Sequence, residues 1–152
     1  MSPLEPRVEI TFEGPTTEAF NSYDLEKWFR LTIDEIRIST GSVSIRFLGK
    51  EEMKSMNKKF RSKDCPTNVL AFPIDNSLGL DTDSLGDIAI CHEVVLKEAK
   101  EQNKEVRDHM AHIFIHGVLH LLGHDHHQKV QAEIMENLER RILLKIGVAD
   151  PY

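Results

Sequence analysis

The chain has few cysteines, no long apolar run and no recognisable export signal. Its 152 residues include two cysteines, Cys65 and Cys91, which are too few and too far apart for a disulfide framework or a paired Cys-x-x-Cys metal site. Free thiols are typical of a reducing compartment, so we expect a cytoplasmic protein. No run of about 18 apolar residues occurs, and the first residues lack the pattern of a signal peptide. We therefore expect no membrane partner.

An excess of basic charge is also absent. Nineteen Lys and Arg against 25 Asp and Glu give a net charge of −6, which excludes a uniformly basic nucleic-acid coat protein but allows a local basic patch. One such patch lies at residues 50–63, a segment that contains six basic and two acidic residues. The charge is therefore segregated along the chain.

The apolar pattern predicts one domain, spanning residues 1–152, of the α+β or mixed α/β class. A hydrophobic content of 40% is enough for one core, and no repeat or linker divides the chain. Alternating or continuous apolar residues predict strands at 8–12, 43–47, 67–74 (buried) and 86–91. Helical periodicity predicts helices at 24–36, 50–60, 93–103 and 107–122, and a last helix built on Ile134, Leu138, Ile142 and Ile146. A polar connection is expected at 76–85.

Five of the eight histidines lie in the run HGVLHLLGHDHH at residues 116–127. His116 and His120 are one helical turn apart, about 40° from each other, which suits two bonds of about 2.0–2.1 Å to one zinc ion. Gly123 can adopt the left-handed conformation that ends a helix, and the chain can then turn back to bring His126 to the pair. This is the ligand spacing of the HExxHxxGxxH metzincin site.

Two features of this motif leave alternatives open. His124 and His127 are alternative third ligands, because the turn at the glycine cannot be placed to a single residue. Position 117, where a metalloprotease carries its catalytic glutamate, is glycine, which disfavours proteolysis. Since glycine within a helix costs about 1 kcal/mol relative to alanine, we infer that Gly117 lets a substrate or a neighbouring backbone come close to the ion.

The same helix carries a polar stripe. Four histidines fall within an arc of about 80° on this helix, and most other positions are apolar. They are His109, His112, His116 and His120. Because unpaired polar groups are costly in a core, the stripe must face an ion, hydrogen-bond partners or a water-filled cleft. His109 and His112 are therefore candidates for the cleft wall or for support of the metal ligands, with satisfied core histidines as the alternative.

Arg61 stands where the helix at 50–60 gives way to a loop. The planar guanidinium suits a pair of phosphate oxygens, and an ion held by three histidines beside an arginine and a basic segment favours a phosphodiester over a peptide. Lys58, Lys59 and Lys63 are candidate RNA contacts, with a solvated lysine face as the alternative.

Over nearly its whole length the sequence resembles the YbeY family of bacterial metal-dependent endoribonucleases. The resemblance is carried by HGVLHLLGHDH (116–126), NKKFRSKDCPTNVLAFP (57–73), LGDIAIC (85–91) and GVADPY (147–152). It implies an α+β fold with a small mixed sheet and a zincin-like metal-binding helix, one zinc ion per chain on His116, His120 and His126, and a functionally required arginine at Arg61. Position 68 is Asn where many members carry Asp, and His124 replaces a frequent Tyr, so neither is counted as catalytic.

The resemblance also implies an activity and partners. The activity is zinc-dependent endonucleolytic hydrolysis of single-stranded RNA, in maturation of the 16S rRNA 3′ end and in ribosome quality control. The implied partners are single-stranded RNA, ribosomal RNA and the ribosome, with ribosomal proteins or an assembly GTPase as further candidates. We expect the ion to polarise the scissile phosphate or activate water and Arg61 to stabilise developing charge; the base is the metal hydroxide, Asp125 or the substrate 2′-OH.

Two other functions stay open. A metzincin-like metalloprotease is disfavoured by Gly117. A noncatalytic, zinc-stabilised ribosome assembly factor would need a closed site, because structural zinc is usually held by four protein ligands. Cys91, His112 or His124 as fourth ligand would favour that structural role.

Overall fold

The computed structural model describes residues 6–12, 18–74 and 83–152 of the chain. The strands are β1 (Arg7–Phe12), β2 (Ser42–Leu48), β3 (Val69–Pro73) and β4 (Ser84–Cys91). The helices are α1 (Ser22–Glu35), α2 (Lys50–Arg61), α3 (His92–Glu101), α4 (Val106–Leu121) and α5 (Lys129–Leu144). Most of the polar connection expected at 76–85 lies outside the described residues. No helix within these ranges is long and apolar enough to cross a bilayer.

The four strands form one mixed sheet in the order β1-β2-β4-β3. β1, β2 and β4 are parallel, and β3 pairs antiparallel with β4, so the predicted small mixed sheet and α+β class are confirmed. The strand predicted as buried at 67–74 is β3, at the edge of the described sheet. Val69 and Leu70 are buried, but Pro73 is exposed, because β3 pairs on one side only and an edge tolerates the missing N–H of proline.

α4 lies against the sheet and is covered by α1, α3 and α5. Most of its apolar positions are buried, and Met110, Phe114 and Val118 have no exposed surface. A Cβ at Gly117 would lie 3.2 Å from Val69 Cγ2 and 3.3 Å from two carbons of Ile88. Gly117 thus packs closely against side chains of β3 and β4, and it also lines a small pocket with His116 and His120. The inferred approach of a substrate to this position stays a prediction.

The buried face of α5 matches the predicted one at Leu138 and Ile142 and differs from it at Ile134. Ile134 is 51% exposed, and the helix buries Met135, Leu138, Glu139 and Ile142. Counting only apolar residues missed the charged member of this face. Glu139 lies on the true face, four residues after Met135 and three before Ile142, and it is fully buried.

We expect Gly86→Ala to lower the free energy of unfolding by about 3 kcal/mol or more. Gly86 has a φ of +136°, and a Cβ there would lie 2.3 Å from the backbone oxygen of Phe72 in β3. Backbone strain of about 1–3 kcal/mol would therefore add to a collision within the β3–β4 pair. Urea denaturation measures the loss.

Gly147→Ala is the matched control. Gly147 also has a positive φ, +75°, but a Cβ there meets nothing within 4 Å, so we expect a loss of about 1–2 kcal/mol from the left-handed conformation alone. Equal losses in the two variants would show that the close contact with β3 is not what requires glycine at position 86.

Candidate metal centre

α4 places two histidines of the motif on adjacent turns, facing one pocket. Nε2 of His116 and Nε2 of His120 are 3.1 Å apart. Two nitrogens bound to one tetrahedral zinc ion at about 2.0–2.1 Å are separated by about 3.3 Å. The pair is therefore spaced to share an ion.

The turn after α4 brings in the third histidine. Gly123, with a φ of +93°, donates its backbone N–H to the carbonyl oxygen of His120 at 3.1 Å and ends the helix as predicted. Asp125 Oδ1 then accepts the backbone N–H groups of His126 at 2.6 Å and His127 at 3.2 Å. This carboxylate shapes the turn on which His126 stands.

The three predicted ligands converge. The ring centroid of His126 lies 5.4 Å from that of His116 and 5.0 Å from that of His120. One nitrogen from each ring lies within 4.8 Å of the others, so the group could hold a metal ion. We call these residues the histidine triad.

The alternative ligands do not join this group. Within the described ranges, no ligand atom of His112, His124, His127 or Cys91 belongs to it. Cys91 packs with Leu48, Met53 and Leu70 in a separate buried cluster. The triad therefore leaves room for a non-protein ligand.

A buried carboxylate that the sequence analysis missed lies behind the triad. Glu139 Oε1 is 2.5 Å from Nδ1 of His116, Oε2 is 3.3 Å from Nε2 of His112, and the hydroxyl of Tyr152 donates to Oε2. Burial tends to raise the pKa of Glu139, but hydrogen bonds from His112, His116 and Tyr152 outweigh it and lower the pKa to about 2. The carboxylate is therefore ionised at neutral pH.

This carboxylate determines which nitrogen of His116 faces the pocket. An ionised Glu139 accepts a hydrogen bond from Nδ1–H, which leaves the lone pair on Nε2. A carboxylate behind a ligating imidazole fixes its tautomer and raises its basicity. Atoms of His112, His116 and Glu139 are also near enough to hold an ion, but the 2.5 Å contact is a direct hydrogen bond, so we interpret this group as support for the triad.

The remaining stripe histidine faces a different partner. Nε2 of His109 lies 3.1 Å from Oε1 of Glu98, which also accepts a 3.0 Å hydrogen bond from Asn68. His109 is 4% exposed and, together with His112, lines a second pocket of about 240 Å³, so its role as a cleft-wall residue stays a prediction. His112 instead contacts Glu139 behind the triad.

The electrostatics of the site favour neutral rings at His120 and His126. Burial lowers the pKa of His120, and the positive charges of His116, His126 and Arg61 lower it further, to about 4. Burial also lowers the pKa of His126, and the positive charges of His116 and His127 lower it further. Neutral imidazole is the form that binds metals.

Arg61 lies at the mouth of this site. It is the last residue of α2 and lines an open pocket of about 570 Å³ together with Lys63, His120 and His126. Of the three candidate lysines, only Lys63 lines that pocket.

The other two lysines lie elsewhere on α2. Lys58 and Lys59 are exposed, and Lys59 Nζ lies 5.3 Å from the ring centroid of Phe60. The chain turns sharply after Arg61, because Ser62 takes the left-handed conformation at the end of α2. The amide of Asn57 then donates to the carbonyl oxygen of Cys65 at 2.8 Å, which holds the loop in place.

Fold and site together define a class: mixed α/β proteins in which a buried helix and the turn after it present three histidines to a basic pocket. The family model described as Endoribonuclease YbeY matches residues 10–147. The chain therefore belongs to the endoribonuclease YbeY family, which confirms the resemblance seen in the sequence.

Comparisons with individual relatives support the same family. The chain is 48% identical over 132 residues to endoribonuclease YbeY of Francisella philomiragia, covering 84% of each protein. It is 47% identical over 150 residues to that of Francisella tularensis subsp. holarctica, covering 95% of this chain and 93% of the relative. The solution structure of a Thermotoga maritima protein matches with a TM-score of 0.59 at 26% identity, over 92% of this chain and 91% of that one.

We expect His126→Ala to weaken metal binding by at least about 100-fold, since losing a ligand removes more than losing an outer hydrogen-bond partner, which costs about 10–100-fold. Titration against a chromophoric chelator, with Zn²⁺ as the probe, measures this. The neighbouring His127→Ala serves as control and should bind like the unaltered protein. The opposite result, with His127→Ala weakened and His126→Ala unchanged, would assign the third ligand to His127.

Proposed function

We propose that the chain is a zinc-dependent endoribonuclease that hydrolyses single-stranded RNA, acting as one metallohydrolase domain over residues 1–152. The observation that carries this proposal is the convergence of three imidazoles beside an arginine in one open pocket. The activity is supported by family membership and by relatives 47–48% identical that carry the name endoribonuclease.

The donor set supports zinc as the ion. Three imidazole nitrogens with one position left open are typical of catalytic zinc sites, whereas structural sites are usually closed by a fourth protein ligand. Glu139 holds His116 in the tautomer that a metal requires. Bound to the triad, zinc would supply a Lewis acid at the scissile phosphate.

Arg61 is the residue that we propose stabilises the negative charge developing on the phosphate. Among the described residues it has no carboxylate within salt-bridge distance, so its charge is available to a substrate. It lines both the large pocket and a smaller one of about 160 Å³ that also contains His116 and Asn68. An arginine fork matches two phosphate oxygens.

Asp125 is a poor candidate for the base. Its Oδ1 already accepts two backbone N–H groups in the turn that carries His126. Burial tends to raise its pKa, but these hydrogen bonds and the charge of His127 outweigh it, so the pKa of Asp125 is lowered. A carboxylate with a low pKa abstracts protons weakly at neutral pH, and we propose that Asp125 positions His126.

The RNA chain would approach along the basic end of α2. Lys63 lines the pocket with Arg61, and we propose that it binds a phosphate next to the scissile one. Lys58 and Lys59 are exposed on α2 and would contact phosphates further along the RNA chain. Such contacts add affinity without reading sequence.

We further propose a role in 16S rRNA 3′-end maturation and ribosome quality control, with ribosomal RNA, the ribosome and a ribosomal protein or assembly GTPase as partners. Membership in the family supports this biological setting. Cys65 and Cys91 are both free, which supports a reducing cytoplasm.

The two alternative functions have less support. A noncatalytic assembly factor needs a fourth protein ligand, and Cys91, His112 and His124 all lie outside the triad. A metalloprotease of the metzincin type needs a glutamate at position 117, where this chain has glycine and a Cβ would lie only 3.2 Å from Val69 Cγ2.

We expect Arg61→Ala to reduce cleavage of a defined single-stranded RNA by about 100- to 1000-fold, the usual loss when one group that stabilises transition-state charge is removed. Zinc content and far-UV circular dichroism should stay unchanged, because Arg61 is exposed and binds no metal. Arg141→Ala is the matched control, since Arg141 is exposed on α5, where it pairs with Glu35, and does not line the pocket. Unchanged cleavage in Arg61→Ala would remove this arginine from the mechanism.

A further inference from the structure

Residues 147–152, which we call the return segment, fold back over α4 and α5. Arg140 Nε of α5 donates to both carboxylate oxygens of Asp150 at 3.0 Å. Asp150 Oδ1 also accepts the backbone N–H of Tyr152 at 2.9 Å. The Arg140 guanidinium carbon lies 5.3 Å from the ring centroid of Tyr152. An ion pair and a cation–π contact thus hold the tyrosine in a defined place.

From this place Tyr152 reaches the buried acid behind the triad. Its hydroxyl donates to Oε2 of Glu139, and its ring packs edge-on against His112 with centroids 5.5 Å apart. The other oxygen of the same carboxylate is bonded to Nδ1 of His116. A continuous line of hydrogen bonds therefore runs from a half-exposed tyrosine to a metal-facing imidazole.

The hydroxyl of Tyr152 lowers the cost of burying the charged carboxylate of Glu139. A fully buried carboxylate needs a hydrogen bond on each oxygen, and without the hydroxyl Oε2 would keep only the 3.3 Å contact with His112. Burial and the bond to Glu139 raise the pKa of Tyr152, so the phenol stays a donor. With only the longer contact to His112 on Oε2, the carboxylate is less firmly oriented, and so is the ring of His116 that is bonded to Oε1.

We propose that Tyr152 is a positioning residue for the metal centre: by orienting Glu139 it sets the orientation and tautomer of His116. The inference rests on the metal site proposed above. It gives the GVADPY motif a role, since Gly147 permits the turn, Asp150 anchors the segment and Tyr152 makes the contact.

Tyr152→Phe tests this directly, because it removes the hydroxyl and keeps the ring on His112. We expect zinc affinity to fall about tenfold, the lower end of the loss seen when a partner outside the ligand shell is removed. The d–d absorption bands of the Co²⁺-substituted protein should shift, since they report ligand geometry. Tyr23→Phe, at a tyrosine on α1 that is 72% exposed, should change neither.

Asp150→Asn provides a second variant at the exposed anchor, with the hydroxyl intact. We expect it to weaken zinc binding in the same direction and by less. If both variants bind zinc as the unaltered protein does and the Co²⁺ spectrum of Tyr152→Phe is unchanged, the positioning role is overturned while the metal site stands. If the unaltered protein binds no zinc, both proposals fail.

Discussion

The hydrogen bond between the buried carboxylate of Glu139 and Nδ1 of His116 is the interaction on which the site depends. An ionised carboxylate with no exposed surface would cost several kcal/mol if left unpaired, and here His112, His116 and Tyr152 all donate to it. The same bonds tie α5 to α4 and hold the lone pair of His116 toward the pocket. Core stability and metal binding are therefore served by one set of contacts.

The site has opposite electrostatic character on its two sides. Behind the triad lies the negative charge of Glu139, which strengthens His116 as a donor to a cation. In front lies an open pocket with Arg61 and Lys63, which suits a polyanion. An ion between the two would be attracted from behind and would add its own positive charge in front, so the arrangement favours a phosphodiester as the group that meets it.

The parts of the site that could be predicted from the sequence are local. The triad follows from one helical turn and one glycine turn, and Arg61 follows from the end of α2. Glu139 and Tyr152 lie 23 and 36 residues beyond His116, and only the packing of α5 and the return segment on α4 brings them together. A helical wheel on Met135 and Ile142 would have shown an acid on the buried face.

In the fold, too, local features could be predicted from the sequence and long-range ones could not. Alternating apolar residues identify the strands, but strand order depends on contacts distant in sequence, so the edge position of β3 could not be predicted. Likewise, Lys63 turns toward the pocket and Lys59 toward Phe60, because the left-handed Ser62 changes the direction of the chain between them. Charge counting along residues 50–63 treats the two lysines alike.

The most direct measurement is anomalous scattering at the zinc edge from crystals of the zinc-loaded protein. We expect one strong peak at about 2.0–2.1 Å from a nitrogen of each of His116, His120 and His126, with the fourth position free of protein atoms. A peak elsewhere, or a fourth bond from a cysteine, histidine or carboxylate of the chain, would contradict an open catalytic site.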